Sequence, residues 1–193
     1  MAKTFVEDDT IEKIDFTENN LAEGDYENCN FSNCNFSNTN LSEINFYDCQ
    51  FYGCNLTTAK ITNTAFRVVK FKDCKMLGLN FNSCNGFLLE FEFENCNLSH
   101  SIFYKMKLKN TKFKNSTLHE VDFTETDLSN SIFDNCDFKR ATFDGSILEK
   151  VDFRTSANYS IDPESNRIKK AKFSIAGIVG LLDKYDIEID NLK

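Results

Sequence analysis

A large apolar side chain returns at every fifth position along most of this chain. Phe31, Phe36, Leu41, Phe46 and Phe51 begin a run that lasts to Phe81, and a second run, two residues out of phase, extends from Leu98 to Phe153. A helix turns about 100° per residue, so side chains five apart would sit about 140° from one another and form no stripe. A flat strand fails too, because residues an odd number apart face opposite sides. What remains is a chain that turns by about a right angle every five residues. Each recurring side chain then points to a common axis, and four pentapeptides close one square coil. Repetition at a short fixed period is the mark of a solenoid.

A second column agrees. Two residues before each large position the side chain is small, as at Cys34, Thr39, Cys54, Ala59 and Cys74 in the first run and Ser101, Thr111, Thr126, Ser131, Cys136 and Ala141 in the second. A narrow tube filled by large residues leaves room only for compact ones beside them. Exceptions such as Ile44, Val69, Leu79, Val121 and Val151 are still apolar. The phase also decides how the 8 cysteines are read. They share the small column, there is no C-x-x-C pair, and neither histidine lies at ligand spacing, so they serve as small hydrophobes rather than as metal ligands or disulfides. Stacked reduced thiols suit a reducing compartment.

Units such as Cys34-Asn35-Phe36-Ser37-Asn38 and Thr126-Asp127-Leu128-Ser129-Asn130 resemble the A(D/N)LXX unit of the pentapeptide-repeat family. The resemblance covers about residues 16 to 153 and implies an all-β solenoid, a right-handed quadrilateral β-helix. At 20 residues per coil that is about seven coils and a rod about 33 Å long. Residues 1–15 are expected to form an N-terminal cap and leading strand, 16–153 the β-helix, and 154–193 a strap, a cap and a short C-terminal α-helix. No apolar run approaches a membrane span and the first twenty residues lack a signal-peptide core, so the expectation is a soluble cytoplasmic protein.

The net charge of −8 is unevenly spread. Ala2 to Glu27 carries −7, Asn28 to His119 carries +4, Glu120 to Asp152 carries −6, and the remainder +1. The phase slip falls within residues 82–92, and Asn85-Gly86 is the expected bulge, since both residues tolerate a left-handed backbone. It is either a tolerated insertion or a kink that touches a partner. Near the C-terminus, Ser174 is a candidate N-cap for a helix over 175–185, followed by a short strand-like stretch over Asp186 to Asp190. Ile175, Ile178, Val179, Leu181 and Leu182 form its apolar face. That face either lies on the last coil as a simple cap or also pairs two copies into a homodimer.

Candidates for catalysis are few. His100 and His119 are the only histidines, and neither belongs to a recognised catalytic spacing. There is no phosphate loop, H-E-x-x-H or nucleophile elbow, and a tube filled by Phe leaves no internal pocket. The expected role is therefore binding, without enzymatic activity, cofactor or metal. Direct binding to nucleic acid is opposed by the acidic balance. The resemblance to the quinolone-resistance (Qnr-type) members implies a DNA mimic that binds DNA gyrase or topoisomerase IV. Glu120, Asp122, Glu125, Asp127, Asp134 and Asp137 are the candidate contact residues. Against a continuous mimic stands the basic belt in the middle, where Lys112, Ile132 and Asp152 stack in one column. The competing reading is a scaffold for another protein.

Overall fold

A computed structural model describes residues 4–190. Its strands pair in parallel with partners twenty residues away, save one pair offset by twenty-two, and twenty is the register that a four-sided coil of pentapeptides requires. β1 (Thr4–Glu7), β3 (Gly24–Glu27), β5 (Asn45–Tyr47) and β7 (Ala65–Arg67) stack as one sheet. β2 (Thr10–Glu12), β4 (Asn30–Ser32), β6 (Gln50–Tyr52), β8 (Val69–Lys72), β9 (Phe91–Glu94), β10 (Lys112–Lys114) and β11 (Ile132–Asp134) form a second, seven-stranded one. The other two sides are held by single bridges, such as Asn35 with Asn55 and Asn40 with Lys60. The result is a parallel β-solenoid of about seven turns.

The five-residue column fills the axis. Phe31 stacks on Phe51 with ring centroids 4.7 Å apart, Phe113 on Phe133 at 4.7 Å and Phe103 on Phe123 at 5.2 Å. Rings on opposite sides of the same coil meet edge to face, as Phe103 does with Phe113. Both are preferred aromatic geometries. Phe36, Phe113 and Phe143 are all buried, as expected.

The small column does more than fit. Its side chains tie each coil to the one before: Ser131 Oγ donates to the Leu108 carbonyl at 2.8 Å, Thr126 Oγ1 to Phe103 at 2.7 Å, and Cys54 Sγ to Phe31 at 3.3 Å. Cys, Ser and Thr interchange here because all three are compact and all three carry a donor. Burial pushes the Cys49 and Cys136 thiols up to about 12. They stay protonated and so keep their S–H bonds to the Tyr26 and Phe113 carbonyls.

Most right-angle corners are made by a residue with a left-handed backbone. Asn28, Asn33, Asn38, Asn63, Asn110, Asn115, Asn130 and Asn135 hold such corners, with φ between 49° and 62°. Asn enters this region more readily than most residues, and Gly53, Gly78 and Gly145 serve at three others.

Both ends differ from expectation. At the N-terminus the coil already begins at Thr4, in register with Gly24. Val6, facing Tyr26, is the inward residue, whereas Phe5 points out and is 60% exposed. At the other end the coil continues past Phe153. Arg167 bridges Ile147, Lys172 bridges Asp152, and Phe173 stacks on Phe153 at 5.5 Å. Asn166 takes the small position, its Nδ2 donating to the Phe143 carbonyl at 2.8 Å.

The expected C-terminal α-helix is instead two 3-10 turns, Ala176–Leu181 and Asp183–Tyr185. Tyr159 explains this. A β-carbon at Gly177 would collide with the Tyr159 phenol oxygen, and one at Gly180 with the Tyr159 carbonyl. The segment is pressed flat on the last coil, where the Ile161 N–H donates to the Gly180 carbonyl at 2.8 Å. Two glycines in six residues also weaken an α-helix. Ser174 does cap the turn, accepting from the Gly177 N–H at 3.0 Å. Asp186 to Asp190 forms no strand.

Candidate functional site

With the axis filled, whatever this chain does falls to its outer surface. The six carboxylates singled out above do not gather on one side of it. Asp122 bridges Ile102 and Thr142, Asp127 bridges Lys107 and Ile147, Asp137 bridges Thr117 and Ala157, and Asp134 lies beside Lys114. Those are the four different ladders of the coil. Glu120 and Glu125 occupy two corners, each with φ 54°.

Several are also matched by bases. Glu120 pairs with Arg140 at 2.6 Å and His100 at 3.4 Å, Glu125 with Lys105 at 3.5 Å, Asp127 with Lys109 at 3.1 Å, and Asp137 with His119 at 2.8 Å. Partial burial works to raise the Asp127 carboxyl, but hydrogen bonds from Ser129 and Lys109 outweigh it and hold it below the ordinary value. Burial likewise opposes Asp137, which Asn158 and His119 hold low. Asp134 accepts from Thr155 Oγ1 at 3.0 Å, and Asp122 accepts from the Thr124 N–H at 2.8 Å. The two histidines lie on adjacent coils, the His100 N–H donating to the His119 carbonyl at 2.9 Å. Their rings turn to different carboxylates.

The basic belt is partly neutralised in the same way. Glu94 lies 3.5 Å from Lys72 and 3.2 Å from Lys114, and Glu92 lies 3.4 Å from Lys112. Lys112, Ile132 and Asp152 do share one ladder. Glu7, Asp8, Asp9, Glu12 and Glu27 differ, because among the described residues they form no ion pair.

The phase slip is a two-residue insertion. Ala65 still bridges Asn85 twenty residues on, whereas Val69 pairs with Phe91, twenty-two residues on. The extra residues therefore leave the coil between Asn85 and Phe91. Asn85 turns the chain by accepting from the Phe87 N–H at 3.0 Å, but neither Asn85 nor Gly86 is left-handed. That conformation belongs to Leu88, φ 55°. The bulge holds Phe87 and Leu88 out at 65% and 68% exposure. Beneath it Arg67 donates from Nε to the Phe87 carbonyl at 3.3 Å, its guanidinium 4.9 Å from the Tyr47 ring and 5.4 Å from that of Phe87.

Two recesses flank the bulge, and Leu89 lines both. One, of about 240 Å³, adds Val68, Lys70, Glu90, Phe91, Lys109 and Lys112; the other, of about 360 Å³, adds Cys84, Gly86, Tyr104, Met106 and Lys107.

At the C-terminal end Ile175 is 84% exposed, Ile178 and Val179 are also exposed, and Leu181 and Leu182 are half-buried. The segment is strapped down by Lys184, 2.7 Å from both Asp162 and Glu164. Among the described residues no helix is long and apolar enough to cross a membrane.

A family profile described as pentapeptide repeat region matches residues 24–92 and 88–159. No curated protein sequence matches the chain significantly. Among solved structures, full-length QnrB1, a plasmid-mediated fluoroquinolone resistance protein, is similar at 18% identity and a TM-score of 0.55, with 96% of this chain and 100% of that one covered. A trypsin-treated variant of QnrB1 is similar at 17% identity and a TM-score of 0.65, covering 97% of this chain and 98% of that one. At such identity the likeness is one of fold.

Proposed function

The chain belongs to the pentapeptide-repeat family, and on that premise we propose that it is a non-enzymatic protein-binding rod. The observation that carries this is the filled axis. Rings stack from Phe16 against Phe36 at one end to Phe153 against Phe173 at the other, so recognition is left to the outside. A photo-crosslinker placed at outward Ile102 or Ile132 should capture the same protein reproducibly from the native cell. Recovery of nothing above the background of an untreated sample would sink the reading.

A narrower reading gives the partner an identity, a type II topoisomerase met through carboxylates that stand in for DNA phosphates. Its support is the net charge of −8 together with a fold shared over almost the whole chain with a fluoroquinolone resistance protein. The dispersal of Glu120, Asp122, Glu125, Asp127, Asp134 and Asp137 over four faces favours the scaffold reading over this one. A supercoiling assay with purified gyrase and topoisomerase IV, with and without a quinolone, separates the two. Inhibition or drug protection that is lost on reversing those six charges supports mimicry; an unchanged reaction at micromolar protein removes it.

The exposed C-terminal face is proposed to pair two copies through Ile175, Ile178 and Val179, with Leu181 and Leu182 at the edge. Sedimentation should then give a dimer that Ile175→Glu dissociates. A monomer at high micromolar concentration would refute it.

A further inference from the structure

The corners of this rod follow a strict chemistry that fails at one place. Among the described residues with a left-handed backbone, all are polar, charged or glycine except Val68 and Leu88, with φ 57° and 55°. A β-branched residue in that conformation is an outlier, and left-handed leucine is also disfavoured. The two side chains gain little burial in return, Val68 being 44% and Leu88 68% exposed. They belong to neighbouring coils, on either side of the bulge's Arg67–Phe87 contact. Strain and contiguous exposed apolar surface thus coincide, and both concentrate at binding sites.

Charge indicates what that is. The bulge and its two recesses are bordered by Arg67, Lys70, Lys105, Lys107, Lys109 and Lys112 against Glu90 and Glu92. Lys105, Lys109 and Lys112 already face Glu125, Asp127 and Glu92. Arg67, Lys70 and Lys107 form no ion pair among the described residues. On an acidic chain this is a basic island with an apolar centre.

We propose that the corner formed by Val68, Phe87 and Leu88 is a docking site for a short acidic segment of a partner protein, with apolar side chains between its carboxylates. Those side chains pack on Phe87 and Leu88 and enter the recesses beside Leu89, while the carboxylates meet Arg67, Lys70 and Lys107. This deepens the protein-binding reading and rests on it. It is independent of topoisomerase mimicry, which needs the opposite charge.

The test is a titration of the isotope-labelled full chain, followed by NMR, with three synthetic octapeptides: one alternating Asp or Glu with Leu or Phe, one with its apolar residues replaced by Ser, and one with its acids replaced by Lys. The first should give saturable shifts confined to amides of residues 67–70, 86–92 and 107–112, and the other two should not. Val68→Asn and Leu88→Asn install the corner residue used elsewhere in the rod. Each should raise Tm by about 2–4 °C, the shift expected of one modest stabilisation in a chain of this size, while weakening the peptide at least tenfold. Lys70→Glu with Lys107→Glu should weaken it as much. Absence of shifts at millimolar peptide, equal binding of the serine or lysine peptides, or full affinity in the Asn variants would overturn the proposal, as would self-association that perturbs the same amides. Peptide binding by a chain without effect on gyrase supports this inference and sinks only the mimicry reading. Gyrase inhibition without peptide binding does the reverse.

Discussion

The coil that carries Phe103 and Phe113 and the coil before it, which carries the insertion, fill the same tube by different means. In the regular coil every side supplies one large residue to the axis and a polar corner, and every side but that of Met106 adds a compact donor. In the coil with the bulge, Gly86 comes twenty residues after Phe66, where a large residue is due. Phe91 takes over from the wrong column. It pairs with Val69, a small-column residue, yet its ring lies 5.5 Å from Phe66 and 5.3 Å from Phe81. The tube is thus closed by a side chain borrowed from the adjoining side, and the displaced residues go outward as Phe87 and Leu88. An insertion need not open a hole when a neighbouring position can exchange small for large.

The strongest way to break this comparison is to remove the borrowed ring. Phe113→Ala in the regular stack should cost about 3–5 kcal/mol, the usual range for deleting a buried aromatic, and Phe91→Ala should cost as much if Phe91 fills the gap left by Gly86. Chemical denaturation measures both. A Phe91→Ala cost below about 0.5 kcal/mol, the scale of an ordinary surface change, would mean the bulge closes the tube some other way.

A smaller effect sharpens the account of the regular coil. Ser131 Oγ donates to the Leu108 carbonyl and accepts from the Thr111 N–H at 3.2 Å, so it bonds to the preceding coil twice. Ser131→Ala leaves buried backbone groups short of a partner and should cost about 1–3 kcal/mol, with Ser131→Cys falling between. If alanine were as stable as serine, size alone would rule the column.

Third is the corner. Leu88→Asn should stabilise by about 1 kcal/mol through relief of left-handed strain, whereas Asn130→Leu at a regular corner should destabilise by a similar amount. Equal effects of both substitutions in the same direction would remove the distinction between the two regions.

The axis was legible from the sequence because a period of five admits one geometry, and the slip was legible because two runs differ in phase. The corners were also written there, in asparagines at Asn28, Asn33 and Asn38, but the apolar column draws attention away from them. The last coil was hidden by a fourteen-residue interruption, 154–167, that contains Pro163, although Ile168 and Phe173 follow Leu148 and Phe153 by twenty. The C-terminal 3-10 turns were not legible, because in sequence Gly177 and Gly180 look like spacing within an apolar face, and only the position of Tyr159 reveals them as points of close approach. The acidic candidates are neighbours in sequence, not in space. Glu120 to Asp137 spans nearly one whole coil, so they had to encircle the rod.

The C-terminal half of the chain offers the subtler contrasts. Asp127, Asp137 and Asp152 are held below the ordinary carboxylate value, Asp152 chiefly by Arg154. A depressed folded pKa gives stability that is present above the unfolded value, about 3.8, and lost as pH falls through the folded one. Tm should therefore be unaffected by these groups from pH 7 to about 5 and fall below about pH 4. Asp127→Asn should make that fall shallower. A decline beginning well above pH 5 would mean that these carboxylates are not its cause.

The smallest expected effect lies at the strap. Lys184 bridges Asp162 and Glu164 at the surface, and an exposed pair contributes little to global stability. Its work is local. The Ile161 N–H donates to the Gly180 carbonyl within the span that Lys184 ties down, so Lys184→Met should speed hydrogen exchange at Ile161 while leaving Tm and exchange at Phe113 unchanged. Faster exchange at both amides would mean that the cap and the rod unfold as one unit, and that the end of this solenoid is as much a part of its core as the middle.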